Sequence, residues 1–209
     1  MKNENILVIP KQKTDIFFEQ KRSFTDVLEF IDLNQEFKFR PEVEKDTSYK
    51  QIIPYVVVKR NGHVLSYQRA GKGHEERLKA FRSLGIGGHV KDTDQYFLKG
   101  LEREVKEELG INLWHGYLKY VGIIDLNKEE VDKVHLGVLF TLDLTRFNGE
   151  IEPDKEEIIS PMFTTLENIE NIFALETWSL EAIKQIRKEI DKEIEWCYNK
   201  YKHNRLIVG

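Results

Sequence analysis

The chain has 209 residues, of which 40% are hydrophobic and 33% charged, with a formal net charge of -4; one substantial core with appendages is expected, and a polyanion-binding surface built on bulk charge is excluded. A single cysteine, Cys197, excludes an intrachain disulfide and a cysteine-ligated metal site, and it suits a reducing compartment. The apolar runs Ile6 to Ile9 and Ile52 to Val58 are too short for a signal core or for the roughly 20 residues of a membrane span, so a cytoplasmic protein with no membrane partner is expected.

Residues 1–50 read as an N-terminal extension and 51–209 as the main domain. In the extension, Ile6 to Ile9 is a short strand stopped by Pro10. Ser23 to Ile31, with Phe24, Val27, Leu28 and Ile31 at helical spacing, is an amphipathic helix capped by Ser23 or Thr25. Glu36 to Tyr49 is charged, contains Pro41 and reads as an irregular connector. From Gln51 the pattern turns to strands, with IIPYVVVKR and HVLSYQRA joined by Asn61-Gly62 as a β-hairpin. Ala70 to Leu84 reads as a long surface loop, the kind that often carries function.

A glycine-rich turn, SLGIGGHVKDTDQ, then leads into a helix. Its apolar stripe is Phe97, Leu98, Leu101, Val105 and Leu109, with Thr93 or Asp94 as the starting cap and Gly110 as the end. Glu104, Glu107 and Glu108 fall within about a quadrant of its surface. Three carboxylates that close are either a solvated acidic face or a site for a hard divalent cation, Mg²⁺ or Mn²⁺. Tyr117 to Ile124 and Val134 to Leu144 are further strands across a polar turn, Asp125 to Asp132. After an acidic loop, Asn148 to Glu157, come a last strand (Ile158 to Phe163), a helical turn (Thr165 to Ile172) and a long helix from Thr177 to about Lys202. That helix carries an Ile183, Ile186, Ile190, Ile194, Cys197, Tyr201 stripe, read as core or as a homodimer contact. The class is α+β with a mixed sheet.

Arg103-Glu104-Val105-Lys106-Glu107-Glu108-Leu109-Gly110-Ile111, with Gly87-Gly88 upstream, resembles the Nudix box, and the order of elements from about Gln51 to about Lys202 resembles the Nudix α/β/α sandwich. KQIIPYVVV and SLGIGGHV are similar to a bacterial branch of predicted phosphoesterases. One part departs from the pattern. The glutamate the family places between the glycines and the arginine is absent: the count forward from Gly88 lands on Asp94, the count back from Arg103 on Gln95. The loop thus carries one extra residue, and Asp94 is the candidate to pair with Arg103.

The resemblance implies a pyrophosphohydrolase that cleaves a phosphoanhydride in a small diphosphate substrate, nucleotide-derived, with Mg²⁺ or Mn²⁺. It makes Glu104 and Glu108 metal ligands, Glu107 a ligand or the base, and the Gly88 carbonyl a further ligand, with Arg103 supporting the site. Glu156 and Glu157 are alternative bases on a loop, or solvated acids. Arg69 is a phosphate-binding candidate or a salt-bridge former, and His89 a substrate contact or a turn residue. His135 reads as a core histidine; Trp114, Tyr67 and Phe81 are base-stacking candidates or core aromatics. The alternative function is a non-catalytic module that binds a nucleotide or an ADP-ribose-like ligand.

Overall fold

The computed structural model describes residues 3–70 and 81–206, with the backbone alone for residue 194 and residues 196–206. Residues 71–80 of the expected long loop lie outside the described part.

The sheet is built on β3 (Tyr49–Arg60), whose residues 50–58 are all buried. An unbroken apolar run of this kind needs partners on both edges and cover on both faces. One edge of β3 is taken along its length by β7 (His135–Asp143), parallel, from Gln51↔His135 to Lys59↔Asp143. The other edge is shared in turn by β1 (Asn5–Pro10), β5 (Gly85–Gly87) and β4 (His63–Arg69), all antiparallel. β2 (Glu36–Phe39) lies outside β1, β6 (Tyr117–Ile124) outside β7, and β8 (Ile158–Thr164) outside β4.

Side chains alternate across a strand, so β3 feeds two cores. Ile52, Val56 and Val58 pack with Val27 and Ile31 of α2 (Phe24–Asn34) and with Phe97, Leu101, Val105 and Leu109 of α4 (Phe97–Leu109). Tyr55 and Val57 face the other way, onto Ile169 of α6 (Leu166–Ile172) and Ala182, Ile183 and Ile186 of α7 (Thr177–Leu206). The result is the expected mixed sheet between helical layers. Along the α7 stripe, Ile183 and Ile186 are buried, Ile190 is exposed, and the later side chains lie outside the described part. Among the described residues no helix is long and apolar enough to cross a membrane.

Several boundaries differ from expectation, each for a physical reason. Ser23, not Thr25, caps α2, in a reciprocal box with Asp26. The connector Glu36 to Tyr49 contains β2 and a short helix, α3 (Arg40–Val43). β2 forms because β1, nearly thirty positions away, supplies its hydrogen bonds (Asn5↔Phe39 to Val8↔Glu36), and Pro41 sits in the first turn of α3, where its missing N–H costs nothing. The polar turn after β6 ends in α5 (Glu130–Val134), capped by the fully buried Asp132 carboxylate, which accepts from the N–H groups of Lys128 and Glu129. A further helix, α1 (Lys11–Phe17), follows β1 directly.

β1 does more than widen the sheet. Leu7 N–H donates to Val90 O at 2.8 Å, Ile6 bridges Lys91, and the Asn5 amide donates to Asp92 at 2.9 Å. The loop between the glycine pair and α4 is therefore bound to the first strand of the extension.

Candidate active site

α4 starts at Tyr96 as its N-cap, with no side-chain cap. Asp94, one of the two expected caps, instead accepts from Lys91 N–H (2.8 Å) and closes the preceding 3-10 turn, Asp92–Asp94. Between them Gln95 stands at φ 70°, ψ -41°, and Tyr96 N–H donates back to Asp94 O at 2.9 Å. This is a γ-turn of the rare positive-φ kind, which absorbs one residue in a tight reversal. The extra residue of the loop is spent there, and Asp94 is left facing Arg103.

Arg103 is the hub of the site. Nε and Nη2 donate to the two Asp94 oxygens at 2.8 and 2.9 Å, Nη2 also to His89 O at 2.9 Å, and Nη1 to Glu104 at 2.6 Å and Glu107 at 3.0 Å. All five of its N–H donors are engaged. Burial pushes the Asp94 carboxyl up, but the hydrogen bonds from Arg103 and Lys91 N–H outweigh it and hold it below the usual range. Asp94 thus does the pairing expected of the absent glutamate.

The three glutamates have unequal surroundings. Glu107 is 56% exposed, Glu104 14%, and Glu108 is buried. Burial raises the Glu104 carboxyl, against the pull of Arg103. Burial pushes Glu108 further, to about 8; the charge of Arg69 opposes this, Glu104 and Glu157 add to it, and a hydrogen bond from the Gly87 backbone opposes it again. Gly88 lies so close to Glu104 that a Cβ there would stand 2.7 Å from the carboxylate. Only glycine brings backbone and carboxylate together at that point.

α4 ends in Gly110 at φ 68°, as expected of a C-cap glycine. Its last carbonyls are taken by the acidic loop, Glu152 N–H to Leu109 O and Asp154 N–H to Glu108 O, each at 2.9 Å. This places Asp154 and Glu157 beside Glu108 on the wall of a polar cavity of about 400 Å³ that also holds Gly88, Glu104 and Glu107. Glu156 is exposed and is not on that wall; its N–H donates to Asp154 at 2.9 Å. The cations of the same wall are Arg40, Arg69, Lys91 and Arg103.

A second cavity of about 660 Å³ adjoins it, largely apolar, with Ile53, Phe81, Val131, Leu175 and Trp178 in its lining. Arg69, Gly87, Gly88 and His89 belong to both walls. Arg69 is engaged by Glu176, Nε to Oε1 at 2.8 Å. His89 Nε2 lies 2.6 Å from the buried Gln51 Oε1, so it carries the proton there; His135 Nδ1 lies 2.7 Å from Val131 O, which leaves its Nε2 as the acceptor 3.3 Å from His89. His135 is hydrogen-bonded but is not the expected core histidine: it is half-buried and lines this cavity, and burial lowers its imidazole below the usual range. Of the stacking candidates, Phe81 lines this cavity. Tyr67 is fully buried with its hydroxyl on Gly85 O, and Trp114 is exposed elsewhere on the surface.

Among the described residues, no three His, Cys, Asp or Glu side chains form a metal-ligating cluster, and Glu104 and Glu107 are both held by Arg103. The donor set nevertheless fits a hard divalent cation. It is all oxygen, two of its carboxylates, the buried Glu108 and the half-buried Glu104, have raised proton affinity, and their mutual repulsion is what a metal would relieve.

The NUDIX domain profile matches residues 50–186. Protein YmaB of Bacillus subtilis (strain 168) is 30% identical, across 85% of this chain and 94% of its own. The chain belongs to the NUDIX domain family. The crystal structure of Tm1382, a proposed Nudix hydrolase, superposes with a TM-score of 0.71 at 34% identity, covering 86% of this chain and 96% of that one. The NUDIX domain of Shewanella oneidensis NrtR, solved with ADP ribose, shares the fold at TM-score 0.56 and 14% identity, over 81% of this chain and 99% of that one. Nudix enzymes generally hydrolyse pyrophosphate linkages with divalent metal ions, and this chain is a Nudix-type pyrophosphohydrolase. Asp154, Glu4, Arg40 and Lys91 were not among the Nudix-box candidates. No local pattern marks them, since they reach the cavity through hydrogen bonds to the end of α4 and through β1.

Proposed function

We propose that this protein hydrolyses the phosphoanhydride bond of a small diphosphate compound, a nucleoside diphosphate linked to another moiety or a similar diphosphate, in the cytoplasm. The observation that carries this is the pairing of two cavities across one wall, a carboxylate-lined one of about 400 Å³ beside an apolar one of about 660 Å³. The first suits a metal-bound diphosphate and the second the organic group attached to it. The ADP ribose bound by the NrtR domain supports a nucleotide-derived ligand.

Glu104, Glu107, Glu108 and the Gly88 carbonyl would hold Mg²⁺ or Mn²⁺. When bound, the ion neutralises charge on the diphosphate oxygens and lowers the pKa of a coordinated water. The remaining work belongs to the chain. Arg103 fixes the carboxylates before the metal arrives and, held by Asp94, gives up Glu104 and Glu107 without losing its place. Glu157, beside Glu108 on the cavity wall, and the exposed Glu107 are the bases that can reach an attacking water; Glu156 is the weaker choice. Arg69 and His89, on the shared wall, are where the diphosphate passes from one cavity to the other.

The test is a panel of diphosphate compounds with Mg²⁺ or Mn²⁺, reading phosphate released after phosphatase coupling. Turnover of at least one is expected, and Glu108→Gln should lower it more than about 100-fold, beyond what loss of a supporting residue costs. Tight nucleotide binding with no product after long incubation would instead establish a non-catalytic module.

A further inference from the structure

The polar cavity has two poles. One is the carboxylate cluster on α4 and the acidic loop. The other is supplied by Glu4 and Arg40 of the extension, which precede the profile match at 50, together with Lys91 of the loop after the glycines. There Arg40 Nη1 donates to Glu4 at 2.9 Å while Arg40 N–H donates to Glu4 O at 3.0 Å, and Lys91 Nζ stands 3.5 Å from the other Glu4 oxygen. Glu4 thus bridges the two cations, and Glu44 balances Arg40 from its far side.

Their capacity is not consumed by the protein. Arg103 has all five donors engaged, and Arg69 is taken by Glu176. Arg40, by contrast, makes one side-chain hydrogen bond among the described residues, from Nη1; its buried Nε is turned to Glu44 at 3.5 Å, and Nη2 makes none. Both cations are held in place. Arg40 stands on α3, fixed by β2 pairing with β1, and Lys91 follows Val90, whose carbonyl accepts from Leu7. A partly buried guanidinium with spare donors, beside an ammonium and facing a cavity, is suited to an anion.

We infer that Arg40 and Lys91, bridged by Glu4, form a clamp for an unesterified terminal phosphoryl group, so that the extension selects diphosphate substrates whose far end carries a free phosphate. This rests on the reading of the cavity as a diphosphate site. The clamp accounts for why the first strand is bonded to the loop after the glycines: it sets the distance between the metal pole and the anion pole.

The probes are methylenediphosphonate, which cannot be hydrolysed, and its P,P′-dimethyl diester, which has one ionisable oxygen fewer at each end. Calorimetry gives their affinities with and without Mn²⁺, and electron paramagnetic resonance follows Mn²⁺ binding separately. The full-length protein should prefer the free diphosphonate by about tenfold or more, and the Arg40→Gln/Lys91→Gln protein by less than about threefold. Glu4→Gln, which removes the carboxylate the two cations share, should tighten the free diphosphonate several-fold, a gain that misfolding cannot produce. A preference that survives in the double variant, or a Glu4→Gln protein that binds no tighter, overturns the clamp. Absence of Mn²⁺ binding would refute the metal reading alone, because the preference is still read in metal-free buffer.

Discussion

Asp94→Ala is the most informative single change. It removes three hydrogen bonds at once, from Arg103 Nε and Nη2 and from Lys91 N–H. Breaking a buried ion pair by deleting one partner costs about 3–5 kcal/mol, and the low end applies because Arg103 keeps Glu104, Glu107 and His89 O. The unpaired Lys91 N–H adds about 1 kcal/mol. Some 3–4 kcal/mol in a chain of this size corresponds to a fall in melting temperature of about 10 °C. The functional effect runs in the same direction. Freed from Asp94, the guanidinium bears harder on Glu104 and Glu107, the oxygens a metal needs, so Mn²⁺ affinity should fall roughly tenfold, the equivalent of about 1.4 kcal/mol. Differential scanning calorimetry and Mn²⁺ titration check the two numbers. A melting temperature that falls with Mn²⁺ affinity unchanged would make Asp94 a purely structural residue, and a shift of under about 2 °C would refute the ion-pair argument. Asp94→Glu combined with deletion of Gln95 restores the family spacing and should recover both values; Asp94→Glu alone should not.

Gln95→Gly relieves the positive-φ γ-turn and should stabilise the protein by about 0.5–1 kcal/mol net of the extra chain entropy, read as a small rise in melting temperature. Gly88→Ala places a methyl against the Glu104 carboxylate and should weaken Mn²⁺ binding by about tenfold or more, followed by paramagnetic resonance. Glu108 retains its proton to about pH 8 in the fold against 4.5 for the free side chain, so the stability it lends is present below about 4.5 and lost as pH rises through about 8. The metal-free melting temperature should therefore decline from about pH 5 to pH 8, Glu108→Gln should flatten the decline, and Mg²⁺ should stabilise most at the alkaline end.

The hairpin around Asn61-Gly62 and the stripe and glutamates of α4 were legible because they are local: a turn that needs positive φ, and apolar positions at helical spacing. β2 and α3 were not, because Glu36 to Val43 has no periodicity of its own and is ordered by strand pairing with Asn5 to Val8. The site divides in the same way. Glu104, Glu107 and Glu108 follow from one helix, whereas Asp154 and Glu157 come to it through backbone hydrogen bonds to α4 carbonyls, and Arg40 and Glu4 through a sheet edge. Asp94 lay between, visible as the acid at the position counted from the glycines but not as a partner until the γ-turn showed how the extra residue is absorbed.

The bond from Leu7 to Val90 bears on how the protein breathes. Loops that bind ligands usually belong to the parts of a structure that open most readily to solvent. Here the amide of Leu7 cannot exchange with deuterium unless the loop after the glycines and the first strand separate together, so the two should report one shared opening rather than two independent ones. With that backbone tethered to the sheet, access of metal to the carboxylates turns on side-chain rotation, above all on the release of Glu104 and Glu107 by Arg103.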